Sequence, residues 1–428
     1  MKTFIEPTIE EWDELTTRPA LNNESLKGLV ADIIQNVKER GDKALIDYSE
    51  KFDKVILTDI KISNDDLENA VNFVNEEIKR SILTAKSNIE KFHITQKEKK
   101  VIVETSIGVS CWRNSVAIEK VGLYIPGGTA PLFSTLLMLA IPAKIAGCSD
   151  IIICSPPNKD GNIDHTILYV ANILGIKNVY KVGGAQAIAA MAYGTQTIPK
   201  VYKIFGPGNQ FVTAAKQIIN STGVAIDMPA GPSEVAIYAD ETSKIDFVAA
   251  DLLSQAEHGV DSQVILVANN KPTADAIIEQ LNIQTELLQR KNIIKEAIEK
   301  SRCIILKDQD NAFHFLNSYA PEHLIIASDH AEILSEKVIN AGSVFLGHYS
   351  PESVGDYASG TNHTLPTNGF ARAYSGVSVD SFVKKITFQQ LTKEGLNNIG
   401  PAVEIMADAE GLHAHKNAVT IRLKSFSK

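Results

Sequence analysis

Short β-rich runs alternate with helical runs between about residues 116 and 376, and this alternation constrains the fold more than any other feature of the chain. A new strand begins every ~20–30 residues, which is the length of one strand–helix unit. Such units pack as parallel sheets with helices on both faces. The first set of predicted strands is Val121–Ile125, Asp150–Cys154, Asn178–Val182, Val201–Phe205 and Val224–Asp227.

A second set of strands follows the first with the same rhythm. Its members are Val235–Ala239, Gln263–Val267, Cys303–Leu306, Leu324–Ala327 and Ser343–Leu346. The helices predicted between the first strands are Leu132–Ala146, His165–Leu174, Ala185–Ala192 and Phe211–Ile219. Two sets predict an α/β protein with two doubly wound, Rossmann-like domains and small helical pieces at the two ends.

The two ends of the chain depart from this alternation. Apolar residues between Leu67 and Ile89 recur at three- and four-residue spacing, which predicts an amphipathic helix with its N-cap at Asn64. The tail after residue 376 reads as a separate helical piece. The predicted division is therefore an arm (1–22), a first domain (23–125 with 234–375), a second domain (126–233) and a C-terminal helical tail (376–428).

Charge and composition exclude several classes of protein. With 42 basic and 51 acidic residues the net charge is −9, which disfavours nucleic acid as a partner. No run reaches the roughly 18 apolar residues of a membrane span, and the first ten residues lack the apolar stretch of a signal peptide. The four cysteines form no C-x-x-C pair, so we expect reduced thiols and a cytoplasmic location.

Three turns of small residues follow predicted strands, and they indicate a ligand cleft. They span 126–129, 183–186 and 206–209. Ligands bind open α/β sheets at the carboxyl ends of strands, and glycine allows the backbone to approach them closely. Each turn alone is also compatible with a purely structural role. None matches G-x-G-x-x-G, so the turns by themselves do not identify a dinucleotide.

Nitrogen and oxygen ligands for a metal are scattered along the second half of the chain. Gln255 and His258 are three residues apart at the end of a helical run, which places both on one face. Asp356 lies in a glycine-rich loop, where an Asx turn is the alternative interpretation. Glu410 precedes His413 and His415 in i, i+2 spacing, of which at most one could be a ligand. This ligand chemistry suits Zn²⁺ or a neighbouring divalent ion.

Glu322 and His323 form an adjacent titratable pair at the start of a predicted strand. Histidine transfers protons near neutral pH, and a neighbouring carboxylate can activate water. The pair is therefore a candidate acid–base site, and a capped turn is the alternative interpretation.

Eight strings in collinear order resemble the histidinol dehydrogenase family, from about residue 120 to the C-terminus. The strings are Gly122-Leu-Tyr-Ile-Pro-Gly-Gly, Gly183-Gly-Ala-Gln-Ala-Ile-Ala-Ala, Gly206-Pro-Gly-Asn, Asp227-Met-Pro-Ala-Gly-Pro-Ser-Glu, Ser254-Gln-Ala-Glu-His-Gly, Ala320-Pro-Glu-His-Leu, the 355–363 loop with Leu365-Pro-Thr, and Glu410-Gly-Leu-His-Ala-His-Lys-Asn-Ala-Val. The resemblance implies oxidation of L-histidinol through L-histidinaldehyde to L-histidine with two NAD⁺, the last step of histidine biosynthesis.

The resemblance also implies roles for individual residues. One zinc ion per subunit would be held by Gln255, His258, Asp356 and His415. Glu322 and His323 would be the acid–base pair. Histidinol would contact these metal ligands and His323 and, in addition, Ser233, His363 and Glu410. NAD would contact Tyr124, Gln186 and Asn209. The family's subunits form homodimers in which the C-terminal piece, with Glu410 and His415, completes the partner's site.

Three other interpretations are weighed against this one. A related zinc and NAD dehydrogenase could act on another small alcohol. A zinc hydrolase could use Glu322 to activate water at the metal without any hydride transfer. A ligand-binding scaffold without catalysis would leave Glu322 and His323 unexplained. Formation of NADH from histidinol separates the first two from the expected activity.

Overall fold

A computed structural model describes residues 1–18, 24–127, 131–229 and 231–427, and these ranges contain fourteen strands and seventeen α-helices. The strands are β1 (Lys2–Ile5), β2 (Ile102–Ser106), β3 (Val109–Ala117), β4 (Lys120–Tyr124), β5 (Asp150–Ser155), β6 (Asn178–Lys181), β7 (Lys203–Phe205), β8 (Ala225–Ile226), β9 (Glu234–Ala239), β10 (Gln263–Ala268), β11 (Arg302–Ile305), β12 (His323–Ala327), β13 (Ser343–Leu346) and β14 (Val383–Leu391).

The helices alternate with these strands over most of the chain. They are α1 (Ile9–Leu15), α2 (Glu24–Arg40), α3 (Asp42–Tyr48), α4 (Asn64–Asn69), α5 (Glu76–Ile94), α6 (Phe133–Ala146), α7 (His165–Ile173), α8 (Gly184–Tyr193), α9 (Gln210–Asn220), α10 (Ile245–Ala256), α11 (Lys271–Thr285), α12 (Lys291–Lys300), α13 (Gln309–Tyr319), α14 (Ala331–Ser335), α15 (Glu352–Tyr357), α16 (Lys393–Ala409) and α17 (His413–Lys424).

Two parallel sheets and one antiparallel sheet organise the molecule. The first parallel sheet has the order β1-β11-β10-β9-β12-β13, and the second has the order β6-β5-β4-β7-β8. A three-stranded antiparallel sheet has the order β14-β3-β2. All ten strands predicted from the alternation of β-rich and helical runs are present, which confirms the mixed α/β class.

Both faces of each parallel sheet are buried. In β4, Val121 and Leu123 pack into one apolar core and Tyr124 packs into another. In β9, Ile237 and Tyr238 likewise belong to separate cores. Strands buried on two faces need apolar residues at nearly every position, which explains why they appear as continuous apolar runs in the sequence. The description as two separate Rossmann-like domains stays a prediction.

Several elements of residues 23–125 contact the five-stranded sheet or its helices, and the predicted grouping of residues 23–125 with 234–375 stays a prediction. Strand β4 is the central strand of the five-stranded sheet, α2 packs on α8 and α9, and α5 packs on α6. The apolar stripe of α5 forms one core with β4 and α6, because that is where its side chains are covered. Within the predicted arm, β1 is not loose but forms the edge of the six-stranded sheet beside β11.

The sequence predicts a helical C-terminal tail, but the tail also contains a strand. It contains β14, which pairs with β3 in antiparallel register from Val383 opposite Ala117 to Leu391 opposite Val109. The two strands lie far apart in the chain, so no local pattern reveals their pairing. The tail also carries exposed apolar side chains, including Phe388, Ile405 and Met406.

The N-terminal apolar stripe forms two helices rather than one. The N-cap of α4 is Ser63, whose hydroxyl accepts a hydrogen bond from the Asp66 amide at 3.0 Å, and not Asn64 as predicted. A 3₁₀ turn follows, and α5 begins after Asn75, whose side chain accepts from the Glu77 amide at 2.7 Å. Asparagine and serine both compete for the helix amides, which makes the choice of cap hard to read from sequence.

Two further expectations concern the environment of the chain. The four cysteines are free thiols. Among the residues that the structure describes, no helix combines the length and the apolar composition needed to cross a membrane.

Candidate active site

The predicted chemistry-bearing residues meet in a cavity of about 430 Å³. The carboxyl edge of the five-stranded sheet contributes the turn after β7, and the amino edge of the six-stranded sheet contributes the residues at the starts of β9 and β12. The predicted site residues that line this cavity are Asn209, Ser233, Gln255, His258, Glu322, His323, Asp356 and His363. The first edge follows the usual rule for ligand sites in α/β sheets, whereas the acid–base pair lies at the opposite end of its strand.

The backbone of Glu234 holds both members of the acid–base pair. Its amide donates to Glu322 Oε2 at 2.8 Å, and its carbonyl lies 3.2 Å from His323 Nδ1. A carbonyl can only accept, so the proton of a neutral His323 ring is on Nδ1. Nε2 is then the free basic nitrogen, and it lies 3.4 Å from Asp356 Oδ1. This tautomer is the one that a general base at Nε2 requires.

Burial shifts the pKa values of this pair. Removal from water raises the pKa of Glu322 to about 8, against the opposing charge of His323. Burial alone would lower the pKa of His323, but the nearby Glu322 and Asp356 carboxylates outweigh it and raise the pKa to about 10. The ring is therefore protonated near neutral pH, and Nε2 becomes a base only once these negative charges are neutralised. A carboxyl group with a pKa near the working pH can both release and accept a proton, as acid–base catalysis requires.

A buried ion pair fixes Glu234 itself. Arg18 donates from Nε to Glu234 Oε1 at 3.0 Å and from Nη2 to Oε2 at 2.9 Å, and its guanidinium lies 3.7 Å from the Tyr319 ring centroid. The Asn368 amide donates to Glu234 Oε1 at 2.8 Å. This bidentate arrangement restricts the backbone that orients the acid–base pair. The sequence analysis missed Arg18 and Glu234, since their roles depend on β9 lying beside β12.

The sequence predicts that Asp356 lies in a loop, but in the structure it lies on a helix. It occupies the last turn of α15. Its backbone carbonyl accepts from His363 Nδ1 at 2.9 Å, which leaves His363 Nε2 as the acceptor nitrogen, 3.2 Å from the Thr135 hydroxyl. Asp356 Oδ1 is buried and accepts no hydrogen bond from the described residues. A buried carboxylate oxygen in that state is suited to a cation or a donor on a ligand.

Gln255 lies in the last turn of α10 and is buried, whereas His258 comes two residues after the helix ends and is exposed. With its amide oriented to satisfy both neighbours, Gln255 donates to Glu352 Oε1 at 2.9 Å and accepts from the Glu234 amide at 3.0 Å. Ser254 also donates to Glu352 Oε1 at 2.8 Å. Glu352 therefore holds the Gln255 amide so that its oxygen is directed at the Glu234 amide, another role that the sequence did not reveal.

Asp251, one turn earlier in α10, predicts a pH-dependent stability. Burial raises its pKa from 3.8 to about 7, so the folded protein binds a proton that the unfolded chain releases. The folded state therefore loses stability as the pH rises from about 4 to about 7. Asp251→Asn is expected to raise the free energy of unfolding by up to ~4 kcal/mol at pH 8 and by less than ~1 kcal/mol at pH 4. Urea unfolding at both pH values measures the difference, and equal gains at the two values would contradict it.

The three residues predicted to contact NAD line a second cavity of about 600 Å³. They are Tyr124, Gln186 and Asn209, and Asn209 lines both cavities. The Tyr124 hydroxyl accepts from the Gly184 amide at 3.1 Å, at the start of α8. Gly206 has φ +129°, and a side chain there would meet the Tyr124 carbonyl at 2.1 Å, so this turn requires glycine. In the turn at residues 126–129, Gly128 and Thr129 lie outside the described residues.

Glu410 and His415 lie outside both cavities of the single chain. Glu410 follows α16, His415 is in the first turn of α17, and both are exposed. Across 1–18, 24–127, 131–229 and 231–427, no three or more His, Cys, Asp or Glu side chains are grouped so as to hold a metal ion. One chain thus brings Gln255, His258 and Asp356 to one cavity, without His415.

Comparison with known proteins gives a consistent result over the whole chain. The family model described as histidinol dehydrogenase matches residues 16–423. The histidinol dehydrogenase of Bacteroides thetaiotaomicron is 56% identical over 425 residues, covering 99% of each chain. That of Escherichia coli O6:H1 is 49% identical, covering 98% of this chain and 97% of the relative.

A solved structure agrees with these relatives. The crystal structure of histidinol dehydrogenase from Elizabethkingia anophelis superposes with a TM-score of 0.98 at 56% identity, and the match covers 100% of this chain and 99% of that one. The resemblance stated from eight sequence strings is confirmed. The chain belongs to the histidinol dehydrogenase family.

Proposed function

We propose that this NAD-dependent dehydrogenase oxidises L-histidinol to L-histidinaldehyde and then to L-histidine with two NAD⁺ in one zinc-containing site. One observation carries the proposal: the buried Glu322–His323 pair lies beside Asp356 in a cavity that shares Asn209 with the second, larger cavity. A substrate at the acid–base pair would thus adjoin a nicotinamide entering from the second cavity. In the cell, the reaction would be the last step of histidine biosynthesis, in the cytoplasm.

The donor atoms support a zinc site that two subunits complete. Gln255, His258 and Asp356 offer an amide oxygen, an imidazole nitrogen and a carboxylate oxygen in one cavity, which suits Zn²⁺. The buried Asp356 Oδ1 lacks a partner among described residues, as a ligand oxygen would. His415 of the partner subunit would be the fourth ligand. When bound, zinc would anchor the amine and imidazole of histidinol, so that the aldehyde stays in place between the two oxidations.

Proton transfers in both oxidations would be carried out by the acid–base pair. His323 Nε2 would take the hydroxyl proton of histidinol as a hydride leaves the carbon that bears this hydroxyl group. Glu322 would then remove a proton from a water molecule that adds to the aldehyde carbon, while the protonated His323 returns its proton to the aldehyde oxygen, giving the hydrate and a neutral His323. His323 would take a hydroxyl proton of that hydrate as its carbon loses the second hydride. The bound NAD⁺ supplies the hydride acceptor in each oxidation.

The remaining contacts would select the substrate. Ser233 and His363 line the same cavity as the acid–base pair, where they would contact histidinol. Glu410 of the partner subunit would join them. The exposed apolar side chains of β14 and α16 would be covered in a homodimer, which would bring the C-terminal piece to the neighbouring site.

Absorbance of NADH during incubation with L-histidinol tests the proposal. We expect two NADH for each histidinol consumed and L-histidine as the product, and no histidine after zinc is removed with a chelator. One NADH per substrate with accumulated aldehyde would contradict the second oxidation. NADH from another small alcohol but not from histidinol would favour the related dehydrogenase, and loss of substrate without NADH would favour the hydrolase.

A further inference from the structure

One wall of the second cavity comes from the N-terminal part of the chain. Leu29, Ile33, Phe52 and Asp53 line this cavity but not the first one, whereas Asn209 lines both. If the nicotinamide half of a cofactor extends past Asn209 to the substrate, the other half lies against this N-terminal wall. The sequence analysis assigned no function to residues 24–94, since no recognisable motif lies there.

An unusual backbone element builds this wall. Residues Ser49–Asp53 form a π-helix that ends at Lys54, which has a left-handed conformation with φ 62°. Such elements are rare in proteins, and those that occur are often found at functional sites. The chain that follows the π-helix pairs with the five-stranded sheet, because the Ile62 amide donates to the Val179 carbonyl and the Lys181 amide donates to the Ile60 carbonyl, at 2.9 and 2.8 Å.

The side chains of the π-helix match the two parts of an adenosine. Phe52 is 46% exposed, stacks on Tyr48 with ring centroids 5.5 Å apart and has Lys51 Nζ 5.3 Å from its ring centroid. It lines the cavity together with the aliphatic Leu29 and Ile33. Next to it, Asp53 Oδ2 is buried without a well-formed hydrogen bond from the described residues, and the Ser49 hydroxyl is the neighbouring donor. An aromatic surface beside a buried carboxylate with acceptor capacity left is suited to a purine and the hydroxyls of its ribose.

We propose that the Asp53 carboxylate accepts a hydrogen bond from the 2′-hydroxyl of the adenosine ribose. This contact would make the enzyme select NAD⁺ over NADP⁺. A carboxylate gains a charge-assisted hydrogen bond from the hydroxyl, whereas a 2′-phosphate places a second anion against it in a desolvated position. The inference rests on the proposed function, since it assumes that this cavity holds the dinucleotide. Lys159 lines the same cavity and carries the opposite charge, so it would favour the 2′-phosphate of NADP⁺. The preference between NAD⁺ and NADP⁺ therefore shows whether Asp53 or Lys159 faces the ribose.

Calorimetric titration of the enzyme with NAD⁺, NADP⁺ and ADP-ribose, without histidinol, tests the proposal directly. Wild-type enzyme is expected to bind NAD⁺ and ADP-ribose, and NADP⁺ at least tenfold more weakly. Asp53→Asn is expected to weaken NAD⁺ and ADP-ribose about tenfold, because one charge-assisted hydrogen bond is lost. The same change should strengthen NADP⁺, and Asp53→Ala should show the same direction. Glu50→Gln is the matched control, as Glu50 lies on the same π-helix and is exposed.

The outcomes separate this inference from the proposed function. Equal binding of NAD⁺ and NADP⁺ by the wild type, or Asp53 variants that leave the ratio of their affinities unchanged, would overturn the role of Asp53. Histidinol oxidation with NAD⁺ could persist in either case, so the proposed function would stand. Absence of NADH formation by a wild-type enzyme that still binds NAD⁺ would overturn the proposed function alone. Thermal unfolding of each variant confirms that it is folded, and a folded Asp53→Ala suffices if Asp53→Asn is unstable.

Discussion

Replacing His323 with asparagine is expected to lower kcat about a thousandfold while leaving the zinc content unchanged. Asparagine keeps a hydrogen-bond donor for the Glu234 carbonyl, which lies 3.2 Å from His323 Nδ1, but it has no basic nitrogen where Nε2 stands. Loss of a positioned general base costs about 10²–10⁴ in rate. The two measurements are steady-state NADH formation at saturating histidinol and NAD⁺, and atomic absorption of zinc.

The control for this variant separates loss of the base from damage to the fold. His314→Asn removes an exposed histidine that packs against Trp12 with ring centroids 5.2 Å apart, away from both cavities. It should keep the wild-type kcat. If His323→Asn loses its zinc, the residue is a ligand or a support for one and not primarily the base. A kcat within about threefold of the wild type would likewise rule out the assigned role.

Replacing His258 with asparagine is expected to remove most of the zinc and, with it, the activity. Changes to groups that only support a ligand weaken metal binding 10–100-fold, so loss of a ligand should cost about 100-fold or more. His258 is exposed and accepts no structural hydrogen bond in the described chain, so the fold should survive the change. The measurement is zinc affinity by competition with a chromophoric chelator, followed by NADH formation at added zinc. Retention of wild-type affinity would remove His258 from the ligand set.

A complementation experiment extends this prediction to the partner subunit. His258→Asn and His415→Asn should each abolish zinc binding, because each removes one of the four proposed ligands from every site. In a mixed dimer, one of the two sites takes its intact His258 from the His415→Asn subunit and its intact His415 from the His258→Asn subunit. That site regains all four proposed ligands. Activity should therefore reappear on mixing after dissociation and reassembly. His348→Asn, which removes a histidine paired with Asp329 at 3.0 Å, is the matched control and should retain activity alone.

The ten central strands could be predicted from sequence because they are buried on both faces and bounded by turn residues. Pairing between distant segments could not. The register of β14 with β3 joins Phe388 to Trp112, and neither segment contains a local signal for the other. The packing of α5 could not be predicted for the same reason: its apolar face is evident in the sequence, but not which sheet covers it.

The candidate site divides in a similar way. Side chains with distinctive chemistry, such as Glu322, His323 and Asp356, could be chosen from the sequence and do converge in one cavity. Residues that act through backbone groups or by holding another residue could not, as Glu234 and Glu352 show. His415 belongs to a third group, because it is exposed in the single chain and outside both cavities, and its proposed role depends on a second subunit.

Anomalous diffraction at the zinc absorption edge from crystals of the zinc-loaded dimer would test the two-subunit metal site most directly. One strong peak per subunit is expected, in contact with Gln255, His258 and Asp356 of one chain and His415 of the partner subunit. A peak that His415 does not reach, or zinc bound away from the Glu322–His323 cavity, would contradict the account.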